Sequence, residues 1–210
     1  HFAVRRVDAK TGVVTLFAGT GVKELTGDGG PAAKAGLDGV ACLSFNHDYS
    51  KLYLGGFSKV LRVVDMKTGI ISTVPGMAAS RSQAVDSKGN LYNATRQGVR
   101  MLGVDGKLVV LEDASAQPPM TTAKHMSVDR DDNILIADEG NHLIRKFIVG
   151  EKKLITIAGT GAKGLAGIPG PALQAQLNAP HGVSVHPRTG DIYIADSRSH
   201  RVLRIKASSK

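Results

Sequence analysis

The sequence predicts an all-β fold of repeated four-stranded units, and three observations carry that expectation. Short runs rich in Val, Ile and Leu recur along the chain between Gly, Asn and Asp turns, the pattern of brief strands joined tightly. Two of these runs repeat closely: Asn133-Ile134-Leu135-Ile136-Ala137-Asp138 is matched by Asp191-Ile192-Tyr193-Ile194-Ala195-Asp196. A second motif, Ala18-Gly19-Thr20-Gly21, returns as Ala158-Gly159-Thr160-Gly161. Each copy is followed by an insert containing Gly and Pro, Gly27–Ala32 and Gly167–Ala172. Internal self-similarity of this kind marks a repeat architecture.

Each unit reads as four strands, a to d. Strand a is apolar and falls at Val40–Phe45, Gln83–Val85, Met126–Val128 and Val183–Val185. Strand b follows a polar turn such as Ser87–Asn90 or Arg188–Asp191, and further copies start at Lys51 and Asn90. Strand c alternates apolar and basic residues at Val60–Val64, Val99–Leu102, Leu143–Phe147 and Val202–Ile205. Strand d is short and apolar at Val13–Phe17, Ile70–Val74, Leu108–Leu111 and Leu154–Ile157. Ala32–Leu37 and Pro171–Leu177 read as single helical turns bridging successive units. Short antiparallel strands in repeated sets of four are what a β-propeller blade requires. The expectation is one propeller domain over residues 1–210, with about five blades represented and the terminal ones incomplete.

The phase of the repeat is informative. Residues 1–17 supply only strands c and d, whereas the last unit supplies a, b and c. Three arrangements fit: a fragment of a larger propeller, an open array completed by another chain, or an unusual small ring. An open sheet edge leaves N–H and C=O groups unpaired, so the second arrangement implies an oligomer or a second chain completing the propeller.

The 27 Lys and Arg residues outnumber the 18 Asp and Glu residues, for a formal net charge of +9. That excess favours acidic partners: nucleic acid, anionic lipid or an acidic protein. No apolar stretch is long enough to span a membrane, no signal segment is seen at the start, and the compartment stays open. Cys42 is alone, so no intrachain disulfide is possible, and its apolar surroundings favour a buried, inert thiol over a nucleophile.

Ala137-Asp138-Glu139-Gly140-Asn141-His142, followed by a basic alternating stretch to Lys146, resembles the NHL repeat, with a near match at Ala195–Arg204. The Ala-Gly-Thr-Gly motif and its Gly-Asp-Gly-Gly-Pro-Ala spacer are similar to a subset of NHL proteins with longer loops between blades. The likeness extends over essentially the whole chain and is weakest at residues 75–120. It implies a propeller that serves as an interaction platform.

Candidate sites follow from the repeat. His142 and His200 lie four residues past Asp138 and Asp196, across the turn between strands b and c. A hydrogen bond from the imidazole to that Asp or to nearby backbone would brace the hairpin. A structural role suits them because a catalytic residue has no need to recur in several blades. At the start of strand a, which in a propeller lines the central channel, Pro180-His181 resembles the segment where peptide-amidating lyases of this superfamily place zinc ligands. Catalytic zinc takes three protein ligands. The matching positions here are Ala41, Arg81 and Lys124, with His125 one residue off, so no zinc triad assembles and neither metal nor cofactor is implied. Arg81, Lys124 and His181 are instead expected around one mouth of the channel, focusing positive potential on an anionic ligand.

Other features are plainer. Arg62, Arg100, Arg145, Lys146, Arg201 and Arg204 read as solvent-facing residues of half-buried c strands. Tyr53, Tyr92 and Tyr193 take core-like places, leaving few aromatics to stack on bases. RNA binding through a basic face therefore stands second to a protein or other acidic partner, and a lyase or hydrolase at the channel mouth stands third. The Gly-rich inserts lack the Lys-Ser/Thr of a P-loop, and Asp129–Asp132 reads as a turn whose spacing matches no EF-hand.

Overall fold

The computed structural model describes residues 2–95, 98–111 and 116–207. The fold is an all-β propeller fold of four-stranded antiparallel blades, and the chain divides into two compact units, His1–Arg81 and Ser82–Lys210.

In the first unit, β1 (Val4–Val7) and β2 (Val14–Ala18) pair antiparallel as a two-stranded sheet. A 3₁₀ turn at Ala32–Lys34 leads into β3 (Val40–Phe45), β4 (Lys51–Gly56), β5 (Arg62–Asp65) and β6 (Ile71–Thr73), which hydrogen-bond in chain order as one sheet. The insert between the two sheets belongs to the core. Ala32, Ala35 and Leu37 pack with Leu52, Leu54, Val64 and Ile71, all buried. The Asp8 and Asp65 carboxylates close the c–d turns by accepting the backbone N–H groups of Thr11 and Thr68, each at 2.8 Å.

The second unit holds two four-stranded sheets and one of three strands. The first comprises β7 (Gln83–Val85), β8 (Leu91–Thr95), β9 (Gly98–Leu102) and β10 (Leu108–Leu111). The second comprises β11 (Ala123–Val128), β12 (Ile134–Asp138), β13 (Leu143–Ile148) and β14 (Lys153–Ala158). The third comprises β15 (Pro180–Val185), β16 (Ile192–Asp196) and β17 (Arg201–Ile205). Every residue of β12 is buried, because both of its faces are covered. Burying each of its Ile and Leu side chains contributes on the order of 1.5–3 kcal/mol.

Gly159 shows why the Ala-Gly-Thr-Gly motif needs its first glycine. Its φ is +98°, and a Cβ there would stand 2.5 Å from the His142 carbonyl oxygen. Only glycine accepts both the left-handed backbone and the close approach.

Two expectations change. Arg62 and Arg145 are not solvent-facing but 3% and 1% exposed. Arg62 donates to the Gly36 and Thr26 carbonyls and pairs with Asp28 at 2.6 Å. Arg145 donates to the Pro118 carbonyl at 2.9 Å, and Arg201 donates to those of Leu165 and Gln176. In each case the guanidinium clamps the loop that precedes strand a of its own sheet. Burial of such a charge is tolerable only because acceptors surround it. The second change concerns the tyrosines: Tyr53 and Tyr92 are buried, but Tyr193 is 36% exposed.

Candidate functional site

Three of the four repeat-matched positions share a backbone irregularity. In β3 the pairing with β4 slips between Val40 and Cys42, in β11 the pairing with β12 slips between Ala123 and His125, and in β15 the pairing with β16 slips between Pro180 and Gly182. The residues left over are Ala41, Lys124 and His181. A β-bulge adds one residue to a strand and re-aims its side chain. These bulges also explain why β11 and β15 begin earlier than the apolar runs suggest.

Lys124 and His181 meet on a residue that the repeat comparison passes over. The Lys124 ammonium donates to Glu139 Oε2 at 3.0 Å, and His181 Nε2 donates to Glu139 Oε1 at 2.9 Å. Glu139 opens the 3₁₀ turn Glu139–Asn141 that follows β12, and its N–H is fixed on the Thr122 carbonyl at 2.9 Å. The Lys124 and Glu139 side chains are 19% and 18% exposed, while His181 is 43% exposed. Burial opposes ionisation of Glu139, but the hydrogen bonds from His181 and Lys124 outweigh it and hold the carboxyl below its ordinary value. His125, one residue along, instead donates from Nδ1 to the Val183 carbonyl at 3.0 Å.

Arg81 is described with the first unit, where its guanidinium lies 5.2 Å above the centre of the exposed Phe57 ring. Cys42 is half-buried and donates to the Ser80 carbonyl. Burial pushes its thiol up to about 11, against the opposing positive charge of Arg81. At neutral pH the sulfur is therefore a protonated thiol and a poor nucleophile.

Asp138, Asp196 and His142 of the repeat each have hydrogen-bond partners. Asp138 is fully buried and accepts the Thr121 and Thr122 N–H groups and the Asn141 amide, with Arg145 at 3.8 Å. Asp196 accepts the Asn178 N–H at 2.6 Å and Arg201 Nε at 2.8 Å. Of the two partners expected for the imidazole, the Asp or nearby backbone, the His142 ring meets backbone. His142 takes a left-handed backbone (φ 56°), and its Nδ1 accepts the Ala179 N–H at 3.1 Å, at the start of the next sheet. His200 takes the same left-handed conformation at the end of its turn. The Asp129 carboxylate caps its own turn by accepting the Asp131 and Asn133 N–H groups and pairs with Lys146 at 2.6 Å. Among the described residues, no three His, Cys, Asp or Glu side chains come together to hold a metal ion, and no helix is long and apolar enough to cross a membrane.

Residues 177–205, which contain His181, Asp196 and Arg201, match the NHL repeat family. No curated protein matches the chain significantly. Among solved structures, the nidogen/laminin complex is similar at 14% identity with a TM-score of 0.67, covering 97% of this chain and 67% of the matched one. A virginiamycin B lyase from Staphylococcus aureus is similar at 14% identity and a TM-score of 0.60, covering 99% of this chain and 64% of that one. A structural genomics protein of unknown function from Bacteroides thetaiotaomicron is similar at 17% identity and 0.65, covering 80% and 47%. The chain thus spans between 47% and 67% of the length of these structures. At such identities the likeness establishes the fold and not the activity. The chain thus has a β-propeller fold, and its residues 177–205 carry an NHL repeat.

Proposed function

We propose that this chain is a non-enzymatic interaction scaffold that takes an acidic segment of a partner protein at the bulged starts of β11 and β15 in its second unit. The observation that supports this is the Glu139 carboxylate, held at 3.0 Å by Lys124 and 2.9 Å by His181. Donors that converge on one carboxylate have the geometry to receive another, and the 43% exposed His181 is the member within reach of a visiting group. Glu139 acts as the resident occupant with which an incoming carboxylate competes. The net charge of +9 raises the encounter rate with acidic chains. The similar fold in the nidogen/laminin complex lends support by analogy.

The test uses a fluorescent Glu-rich peptide and anisotropy at about 50 mM salt. Lys124→Ala and His181→Ala are each expected to weaken binding about fivefold, roughly 1 kcal/mol, and Glu139→Gln to strengthen it. No binding, or no loss in the two alanine variants, overturns the proposal. Tighter binding of single-stranded RNA, with a steep fall as salt rises, replaces it with the RNA-binding alternative.

A further inference from the structure

His125, His142, His181 and His186 all lie along β15 and its junction with the β11–β14 sheet, and they bond in two opposite senses. His125 and His181 donate, to the Val183 carbonyl at 3.0 Å and to Glu139 at 2.9 Å. A donating imidazole keeps such a bond when it gains a second proton. His142 and His186 accept. The Ala179 N–H reaches His142 Nδ1 at 3.1 Å, and the Arg188 and Thr189 N–H groups reach His186 Nδ1 at 3.3 and 3.0 Å. A backbone N–H can only donate, so each of these bonds requires a lone pair on Nδ1 and a neutral ring.

The two acceptors serve the two ends of β15. Ala179, immediately before the strand, is buried and takes a left-handed backbone with φ 52°. Gly39 holds the same place ahead of β3, with φ +75°. A Cβ disfavours that conformation, and a buried N–H that loses its acceptor is costly. The bond to His142 therefore secures a residue that the local backbone does not favour. His186 follows β15 and caps the turn to β16. After β3, β7 and β11 the same turn is capped by Asn46, Asp86 and Asp129, whose Oδ1 atoms accept backbone N–H groups. An amide or carboxylate goes on accepting in mild acid, whereas imidazole is the side chain that changes charge between about pH 5 and 8. The His186 turn is also the one that Arg130 clasps, donating twice to the Pro187 carbonyl at 3.1 and 2.9 Å.

The charged groups on the elements meeting at His142 are Asp138 and Glu139 of its own turn and, from the next sheet, Asp196 and Arg198. Those two residues bond the backbone of Asn178, beside Ala179. At His186 they are Arg188 and Asp191 of its own turn and, from the β11–β14 sheet, Arg130 with its neighbours Asp129 and Asp131. The carboxylates favour a second proton on each ring, and the three arginines oppose it.

We propose that the two ends of β15 are acid-released latches. A proton taken up at Nδ1 of His142 and of His186 turns each acceptor into a donor and frees the Ala179, Arg188 and Thr189 N–H groups. Both ends of the strand then open, while the bonds donated by His125 and His181 hold the strand between them. This device does not depend on the acidic-segment reading of the Glu139 site.

Amide hydrogen exchange of the full chain at about pH 7.5 and about pH 5.5, with each rate divided by the intrinsic rate at that pH, tests it. Protection of Ala179 and Thr189 should fall at least about tenfold in acid, while that of Ile136 in the buried β12 holds. His142→Asn and His186→Asn each offer an amide oxygen that does not titrate. Asn tolerates the left-handed backbone at position 142 and already caps the corresponding turn as Asn46. Each variant should keep its own latch closed in acid and leave the other responsive. In the parent chain, NMR of the labelled ring nitrogens should show Nδ1 of both histidines gaining a proton in step with the loss of protection, a readout that needs no variant. Constant protection in the parent chain, an equal fall in the Asn variants, or ring protonation out of step with the fall overturns the proposal. So does a matching fall at Ile136, because the opening is then that of the whole sheet.

Discussion

His181 Nε2 and Glu139 Oε1 stand 2.9 Å apart, although they come from different sheets of the second unit. The contact exists because two local devices converge: a bulge turns His181 out of the β15 ladder, and a 3₁₀ turn presents Glu139 at the end of β12. Lys124, on the bulge of β11, completes the cluster from the other carboxylate oxygen. The positive focus expected at this position is therefore partly offset by a resident acid.

Acid should loosen this cluster. The Glu139 carboxyl sits below its ordinary value in the folded chain, so the stabilisation it provides is complete above the unfolded-state value near 4.5 and is lost as pH falls through the lowered folded value. Glu139→Gln should cost about 1 kcal/mol at pH 7 and almost nothing near pH 3, read from urea midpoints at the two pH values. An equal loss at both would mean that the carboxylate's charge is irrelevant.

The buried and exposed arginines of the c strands should separate sharply. Arg145→Ala removes a guanidinium that is 1% exposed, beside a fully buried Asp138, and should destabilise the fold by about 3–5 kcal/mol. Arg204, with its side chain 48% exposed and 4.0 Å from Asp191, should change stability by less than about 0.5 kcal/mol on replacement by Ala. Denaturant unfolding of the two variants side by side measures the difference.

Two glycines of one motif should respond unequally to alanine. Gly159 has both a positive φ and a neighbouring carbonyl 2.5 Å from any Cβ, whereas the nearest atom to a Cβ at Gly161 is at 3.8 Å. Gly161→Ala should cost about 1 kcal/mol for its left-handed backbone alone, and Gly159→Ala clearly more. Thermal midpoints rank the pair.

Cys42 should alkylate slowly at neutral pH, its rate rising with a midpoint near 11. Arg81→Ala should move that midpoint higher, because the guanidinium charge favours the thiolate. Iodoacetamide kinetics across alkaline pH give both values.

Strands were legible where apolar runs are bounded by turn residues: β3, β7 and β10 occupy the ranges that their sequences announce. The burial of Arg62 and Arg145 was not legible, because period-two alternation looks the same whether the polar side meets water or a folded-back loop. The change of Asp28 and Arg62 into Ile168 and Leu203 between the two copies was the available signal of that contact. Glu139 escaped notice because its counterpart in the last repeat is Ser197, and a comparison of repeats selects residues that recur. The spacing of Asp138 and His142 left the Asp and nearby backbone both open as partners, and the ring of His142, which follows a left-handed turn, accepts the Ala179 N–H. Lys124 and His181 were found by register alone, and the bulges that give those positions their orientation leave no mark in composition.

The arginine clamps have an evolutionary consequence. Arg62, Arg145 and Arg201 each settle their charge on carbonyl groups of the loop leading into their own sheet. A gene segment encoding one loop and its sheet carries the buried cation and its acceptors together. Duplication or loss of that segment strands no arginine charge in a neighbour, so the number of blades can change by whole-repeat events while each surviving blade keeps a solvable interior.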